Sequence, residues 1–320
     1  MNYFHGNNIK IFAANSIPNV AKQIADRLGL ELGSVDVQTF SDGEVYVSLK
    51  ESVRGADCFI IQSTCSPVND NLMQILVMID AMKRASAACI TVVMPYFGYA
   101  RQDRKAKPRD PISAKLVADL LTAAGADRII TMDLHAMQIQ GFFNIPVDHL
   151  KGAPVLVDYF RDKIEKDKID EYVVVSPDLG SIMRARSFAS KLGCQLAVID
   201  KRRPRPNVCE IVNIIGNVTN KKVILVDDMI DTAGTLCNAA NELYSKYNAK
   251  EIYACATHGV LSGPAMERIK NSPIEKVFLL DTIPEPENKI DKLVYLPVAD
   301  LFAEAINLIY KDGSITPLSN

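Results

Sequence analysis

No CxxC pair, GxxxxGK[ST] loop, GxGxxG turn, GxSxG elbow or HExxH helix occurs anywhere in this sequence. These absences exclude thiolate zinc sites, the P-loop and dinucleotide-binding turns, elbow-type serine hydrolases and helix-borne zinc proteases. Any phosphate or nucleotide site must therefore be built by some other loop. The cysteines number 7, an odd count spread from Cys58 to Cys255, which fits no disulfide framework and points to a reducing compartment. No apolar run approaches the ~20 residues that span a bilayer, and Met1 to Lys10 is polar and lacks the apolar core of a signal segment. A soluble, cytoplasmic protein with no membrane partner is expected. Neither sign of charge dominates: Lys and Arg total 36 against 38 Asp and Glu, a net charge of −2, so nothing draws the whole chain to a nucleic acid polymer or an anionic surface.

What is present is an ordinary globular composition, 48% hydrophobic and 23% charged over 320 residues. At roughly 150 residues per domain that length makes two units. Short β-branched runs alternate with helical patterns throughout, the mark of βαβ units around a mostly parallel sheet. Strands are expected at Ile9 to Ala14, Val35 to Phe40, Glu44 to Leu49, Cys58 to Ser63, Ile90 to Phe97 and Arg128 to Asp133. Helices are expected near Ile17 to Leu28, Asn69 to Ala85 and Ser113 to Ala124, the second with Ser66 as N-cap and Pro67 in its first turn. The pattern then repeats, with strands at Tyr172 to Pro177, Gln195 to Lys201, Lys222 to Asp228, Glu251 to Thr257, Lys276 to Asp281 and Lys292 to Val298. Helices fall near Ser181 to Leu192, Ala233 to Lys246, Pro264 to Lys270 and Asp300 to Tyr310. The expectation is two tandem α/β domains, 1–150 and 151–320, each a mostly parallel sheet flanked by helices.

The segment Val223-Ile-Leu-Val-Asp-Asp-Met-Ile-Asp-Thr-Ala-Gly-Thr235 is the most informative stretch. Four apolar residues make a buried strand, Asp227 and Asp228 arrive at its C-terminal end, and Asp231, Thr232, Ala233, Gly234 and Thr235 lead into a helix. Ligands of open α/β sheets sit at such strand ends. The turn offers successive backbone N–H groups, two hydroxyls and a helix start, which suits a phosphate monoester. The paired carboxylates suit vicinal hydroxyls, or a magnesium ion held through water. A sugar phosphate satisfies both ends. A plain acidic strand terminus with a helix capped by Asp231 or Thr232 is the alternative.

Basic charge is local. Gly98 to Pro111 carries +3 and Lys201 to Asn207 carries +4, leaving −9 on the rest of the chain. The first follows a strand at the ligand-binding edge, which favours polyphosphate over a generic basic patch. The second holds two prolines that forbid a regular helix. His135, one of 4 histidines, follows the strand ending at Asp133.

Taken together, the turn at Asp227 to Thr235, Phe40-Ser-Asp-Gly-Glu44, Tyr99-Ala-Arg-Gln-Asp-Arg104, Asp133-Leu-His to Phe143, Ser176-Pro-Asp178 and Lys201-Arg-Arg-Pro-Arg-Pro-Asn207 resemble class I ribose-phosphate diphosphokinases (phosphoribosyl-diphosphate synthetases) over Ile9 to Tyr310. The resemblance implies two phosphoribosyltransferase-type domains and transfer of the diphosphoryl group of ATP to the 1-hydroxyl of ribose 5-phosphate. It implies that Phe40, Asp42, Glu44, Arg101, Gln102 and His135 bind ATP, with the Phe40 loop reaching a neighbouring subunit. Asp227, Asp228, Asp231, Thr232, Ala233, Gly234 and Thr235 would bind ribose 5-phosphate. His135 and Asp178 would hold Mg2+, while Lys201 and Arg203, on a loop that closes over the phosphates, would act on the transition state. A homo-oligomer, a hexamer in the family, and allosteric phosphate or ADP are further implications. Type I phosphoribosyltransferases share only the turn, and a catalytically silent regulatory subunit is the other rival reading.

Three positions depart from the family pattern. Leu179-Gly180-Ser181 replaces x-Gly-Gly, Asn144 replaces a common Asp, and Ser314 to Ser319 lacks the aromatic-rich ending that contributes to the allosteric site, although Ser52 and Arg54 match other parts of it.

Overall fold

A computed structural model describes Gly6 and residues 8–165, 167–178, 180–205 and 208–319, with the side chains of 201–212 and Ser319 outside the description. The first half runs β1 (Ile9–Ala13), α1 (Pro18–Leu28), β2 (Val35–Thr39), β3 (Val45–Leu49), β4 (Asp57–Ile61), α2 (Val68–Arg84), β5 (Cys89–Met94), α3 (Ser113–Ala124), β6 (Arg128–Met132) and β7 (Val147–Leu150). The second runs α4 (Ala153–Ile164), β8 (Tyr172–Ser176), α5 (Ile182–Leu192), β9 (Gln195–Arg205), β10 (Val208–Ile215), β11 (Lys222–Ile230) and α6 (Gly234–Ser245). It ends with β12 (Glu251–Gly259), α7 (Ala265–Lys270), β13 (Ile274–Leu280), β14 (Leu293–Leu296) and α8 (Ala299–Tyr310).

The chain forms two compact units, one of Met1–Lys151, Thr282–Pro284 and Pro297–Asn320, the other of Gly152–Asp281 and Glu285–Leu296. In the first, the strands lie in the order β1-β4-β5-β6-β7, all parallel, with β2 and β3 forming a separate antiparallel hairpin. Every residue of β4 is buried, as the apolar run Cys58 to Ile61 requires of a parallel strand covered on both faces. Pro297–Asn320 belongs to this unit because α8 packs on α1. Phe302, Ala303, Ala305 and Ile306 of α8 are buried, as are Val20, Ala21, Ile24 and Ala25 of α1. Arg27 pairs with Asp300, and the Ser63 hydroxyl donates to the Thr282 carbonyl at 2.6 Å.

The second unit holds a sheet in the order β10-β9-β8-β11-β12-β13-β14, parallel except for β10. From β8 the chain winds outward to β9, then returns to place β11 on the other side of β8 and winds the opposite way. A reversal of this kind opens a crevice beyond the carboxyl ends of the two central strands. Phe160 of α4 is fully buried, 5.0 Å from the ring of Phe278 and 6.0 Å from that of Phe188.

Several elements differ from the sequence expectation. No element is expected between Asp133 and Tyr172, yet β7 and α4 form there; Val147-Asp-His-Leu150 has too little apolar alternation to be read as a strand before β6 pairs with it. Lys201 to Asn207 is expected as a loop, but β9 continues through Arg205 and pairs antiparallel with β10. Pro204 does exclude a helix; beyond Val198 β9 is paired only with β10, and an extended edge position accommodates that proline. Pro67 itself, not Ser66, stands at the N-cap of α2, and the Ser66–Pro67 peptide is cis.

Replacing Phe160 by Ala should cost ~3–5 kcal/mol, the usual penalty for emptying a buried aromatic site. Calorimetry should show a clearly lowered transition for Phe160→Ala.

Candidate active site

The crevice expected from the strand reversal lies beyond the C-terminal ends of β8 and β11. Pairing between these strands stops at Leu225↔Val175, whereas β11 continues beside β12 as far as Ile230↔Gly259. The strand therefore does not end at Asp228, as the sequence suggests. Asp227 and Asp228 sit within it, past the last residue paired with β8. Successive strand residues point to opposite faces, and the two carboxylates differ accordingly: Asp228 is buried and Asp227 partly exposed.

Asp227 Oδ1 accepts hydrogen bonds from the Ser181 hydroxyl at 2.9 Å and the Asp228 amide at 2.9 Å. Burial pushes the Asp227 carboxyl well above the usual carboxylate range, to about 7, and the charge of Asp228 adds to the effect. The Ser181 hydroxyl and the Asp228 amide oppose it by stabilising the ionised form. From β8, Asp178 Oδ1 accepts the Ser181 amide at 3.0 Å, and the Ser176 hydroxyl donates to the Asp178 carbonyl at 2.7 Å. Asp178 and Asp227 are thus linked through Ser181, the first by its amide and the second by its hydroxyl.

After β11 the chain turns through Asp231 and Thr232 to Ala233, which is left-handed at φ 56° and is the N-cap of α6. The N-cap position is thus Ala233, rather than Asp231 or Thr232 as in the plain-cap alternative. The first intrahelical bond runs from the Cys237 amide to the Ala233 carbonyl, so the amides of Gly234, Thr235 and Leu236 face out of the helix start, where an anion is favoured. Arg268 of α7, which no sequence signal singles out, donates to the Thr232 carbonyl at 3.0 Å. A Cβ at Gly234 would stand 3.0 Å from the same guanidinium, so the turn and the cation are closely packed.

In the first unit, the basic loop leaves β5 through Gly98, where a Cβ would lie 2.5 Å from the Thr64 carbonyl oxygen; only glycine fits. The Gly98 amide donates to Thr64 Oγ1 at 2.7 Å. Arg101 and Gln102 are exposed. The Gln102 side chain accepts from the Ser113 hydroxyl at 2.5 Å, and its carbonyl accepts the Ala114 amide at 3.2 Å, so Gln102 also anchors the start of α3. Gln138 donates to Asp103 at 2.5 Å, joining this loop to the one that carries His135. His135 is exposed. The loop beneath it is held by a residue the sequence reading passes over: the Leu134 amide donates to Nε2 of buried His149 at 2.9 Å, which leaves the ring proton on Nδ1. Phe40 and Tyr46 are 51% and 40% exposed at the tip of the β2–β3 hairpin, their rings 5.4 Å apart. Asp42 accepts the Glu44 amide at 3.1 Å within the expected turn.

The structure brings together Asp178 and Asp227, and separately the loops of Arg101 and His135. The side chains of Lys201 and Arg203 lie outside the described residues, as do Leu179, Pro206 and Asn207. Among the described residues no group of three or more His, Cys, Asp or Glu forms a metal cage. His135 is exposed and the Asp178 carboxylate partly buried; a carboxylate suits magnesium, which prefers oxygen donors, whereas imidazole is an uncommon ligand for it.

Residues 9–125 match a family model described as the N-terminal domain of ribose phosphate pyrophosphokinase, and residues 203–319 match the phosphoribosyl synthetase-associated domain. The chain is 63% identical over 315 residues to a ribose-phosphate pyrophosphokinase of Clostridium perfringens, covering 98% of each chain. It belongs to the ribose-phosphate pyrophosphokinase family. A Bacillus subtilis member is 54% identical over 318 residues, covering 99% of both chains. The crystal structure of phosphoribosylpyrophosphate synthetase from Mycobacterium smegmatis, 42% identical, superimposes with a TM-score of 0.90 over 96% of this chain and 100% of that one. Pyrophosphokinase and diphosphokinase are names for one activity, so the family and fold class expected from the motifs are those found.

Because Asp227 takes up a proton more readily in the folded chain than an unfolded carboxylate near 3.9, its ionisation destabilises the fold as pH rises from ~4 through 7. Asp227→Asn should raise Tm at pH 8, by ~2–4 °C for each kcal/mol relieved. That gain should vanish as pH falls toward 4 in thermal melts.

Proposed function

We propose that the protein transfers the diphosphoryl group of ATP to the 1-hydroxyl of ribose 5-phosphate, giving 5-phosphoribosyl 1-diphosphate and AMP for nucleotide biosynthesis. The observation that carries this reading is that, at the C-terminal end of one strand, the paired carboxylates of Asp227 and Asp228 are followed directly by a turn that leads into the start of a helix. The sugar's 5-phosphate is received by Asp231 to Thr235, where backbone amides and the helix start favour an anion. Its 2- and 3-hydroxyls donate to Asp227 and Asp228. Arg101 and Gln102 bind the ATP phosphates with His135, and Phe40, Asp42 and Glu44 hold the adenine. The exposed aromatic pair at the hairpin tip supports that assignment.

Phosphoryl transfer depends on positioning and charge neutralisation more than on covalent chemistry from the protein. The 1-hydroxyl attacks the β-phosphorus in line and AMP leaves. Lys201 and Arg203 neutralise charge that develops on the transferring group. Mg2+, for which His135 and Asp178 are the protein donors, supplies further charge neutralisation at the phosphates when bound. The enzyme works in the cytoplasm; no helix among the described residues is long and apolar enough to cross a membrane. It acts as a homo-oligomer, a hexamer, with the Phe40 hairpin contributed to a neighbouring copy. Phosphate and ADP act at a site that includes Ser52 and Arg54; the Arg54 guanidinium already donates to the Ser86 hydroxyl at 3.1 Å.

Incubation with Mg2+, ATP and ribose 5-phosphate, followed by phosphorus NMR, should show AMP and a sugar 1-diphosphate. Unchanged ATP in the presence of activating phosphate would overturn the reading. Lys201→Ala should lower kcat by at least ~10²-fold, the effect of losing one preorganised donor of charge; near wild-type turnover would reject the role given to Lys201.

A further inference from the structure

We propose that Ser181 is a positioning residue for Asp227, its hydroxyl fixing the orientation in which that carboxylate receives the hydroxyls of ribose 5-phosphate. The inference rests on the sugar-phosphate reading above and concerns a residue at which this chain departs from the family pattern.

Ser181 is the N-cap of α5, with φ −91° and ψ 3°, yet its side chain makes no capping hydrogen bond. A serine there ordinarily accepts from an amide of the helix's own first turn. Here the hydroxyl instead donates to Asp227 Oδ1 at 2.9 Å, to a strand 46 residues further along the chain. The start of α5 is held by another bond, from the Ser181 amide to Asp178 Oδ1 at 3.0 Å. The hydroxyl is thereby released from the helix and committed to the carboxylate.

Its effect on Asp227 is geometric. The carboxylate of an aspartate can turn its plane about Cβ–Cγ unless that rotation is opposed. The Asp228 amide approaches Oδ1 from β11 itself at 2.9 Å, and Ser181 approaches the same oxygen from across the β8–β11 gap. Two donors from different directions fix Oδ1, and with it the plane of the carboxylate. Alanine at 181 keeps the helix start and removes only the second donor, after which Asp227 samples orientations that a bound sugar must select among, at a cost in affinity.

Ser181→Ala should raise KM for ribose 5-phosphate about tenfold, the loss expected for one hydrogen bond to a charged acceptor, with kcat and KM for ATP within about twofold of wild type. Ser181→Thr, which keeps the hydroxyl, should stay within about twofold of wild type in all three. Titration calorimetry with ribose 5-phosphate alone should show the same tenfold loss for Ser181→Ala. If Ser181→Ala keeps its ribose 5-phosphate affinity, if its kcat falls or its KM for ATP rises as much, or if Ser181→Thr behaves like Ser181→Ala, the positioning role is overturned while the sugar-phosphate reading stands. A wild-type protein that binds no ribose 5-phosphate would overturn that reading, and the role of Ser181 with it.

Discussion

Two adjacent carboxylates in the middle of a parallel sheet are an arrangement that folding opposes. Removing Asp227 from water raises its proton affinity, and Asp228 next to it raises it further. The second unit meets this cost with donors: a backbone amide from β11 and a hydroxyl brought from the start of α5. The placement is possible only because β8 stops short while β11 runs on, so that the acidic pair lies beyond the paired region on one side and remains supported by β12 on the other. The strand reversal, the helix starts and the turn at Ala233 all converge on that edge.

The first unit solves a different problem, that of holding cations and an imidazole in exposed loops without burying their charge. It does so by fixing the loop bases. Gly98 lets the basic segment leave against the Thr64 backbone, Gln102 ties its path to α3, and His149 holds the amide of Leu134 beneath exposed His135. Exposed tips on fixed bases suit an anionic ligand that supplies its own bulk and order. The acidic pair of β11 and the exposed cations of the Gly98 to Pro111 loop belong to the charge separation that the near-neutral composition conceals.

Much of this is legible in the amino-acid sequence. The near-continuous apolar runs at Cys58 to Ile61 and Val223 to Val226 are strands because only a sheet covered on both faces can bury them. The acidic turn was recognisable because its residue types occur together in one unbroken segment. Less visible were elements whose identity depends on a partner: β7 acquires its role by pairing with β6, and β10 by pairing with the extension of β9. Arg268 and His149 gave no local signal, since each acts on a backbone group distant in sequence. Ser66 looked like a cap in sequence, but the chain enters α2 one residue later.

The amino-acid sequence by itself determined the alternation of strands and helices, the absence of any standard nucleotide loop, and the chemistry of the acidic turn, because periodicity and residue type are local properties. Tertiary structure decided that Pro297–Asn320 returns to the first unit and that β11 extends past its carboxylates. It also decided that Ser181 addresses Asp227 rather than its own helix. Each of these depends on which surfaces meet across tens or hundreds of residues, and pairing of that range leaves no mark on the local pattern.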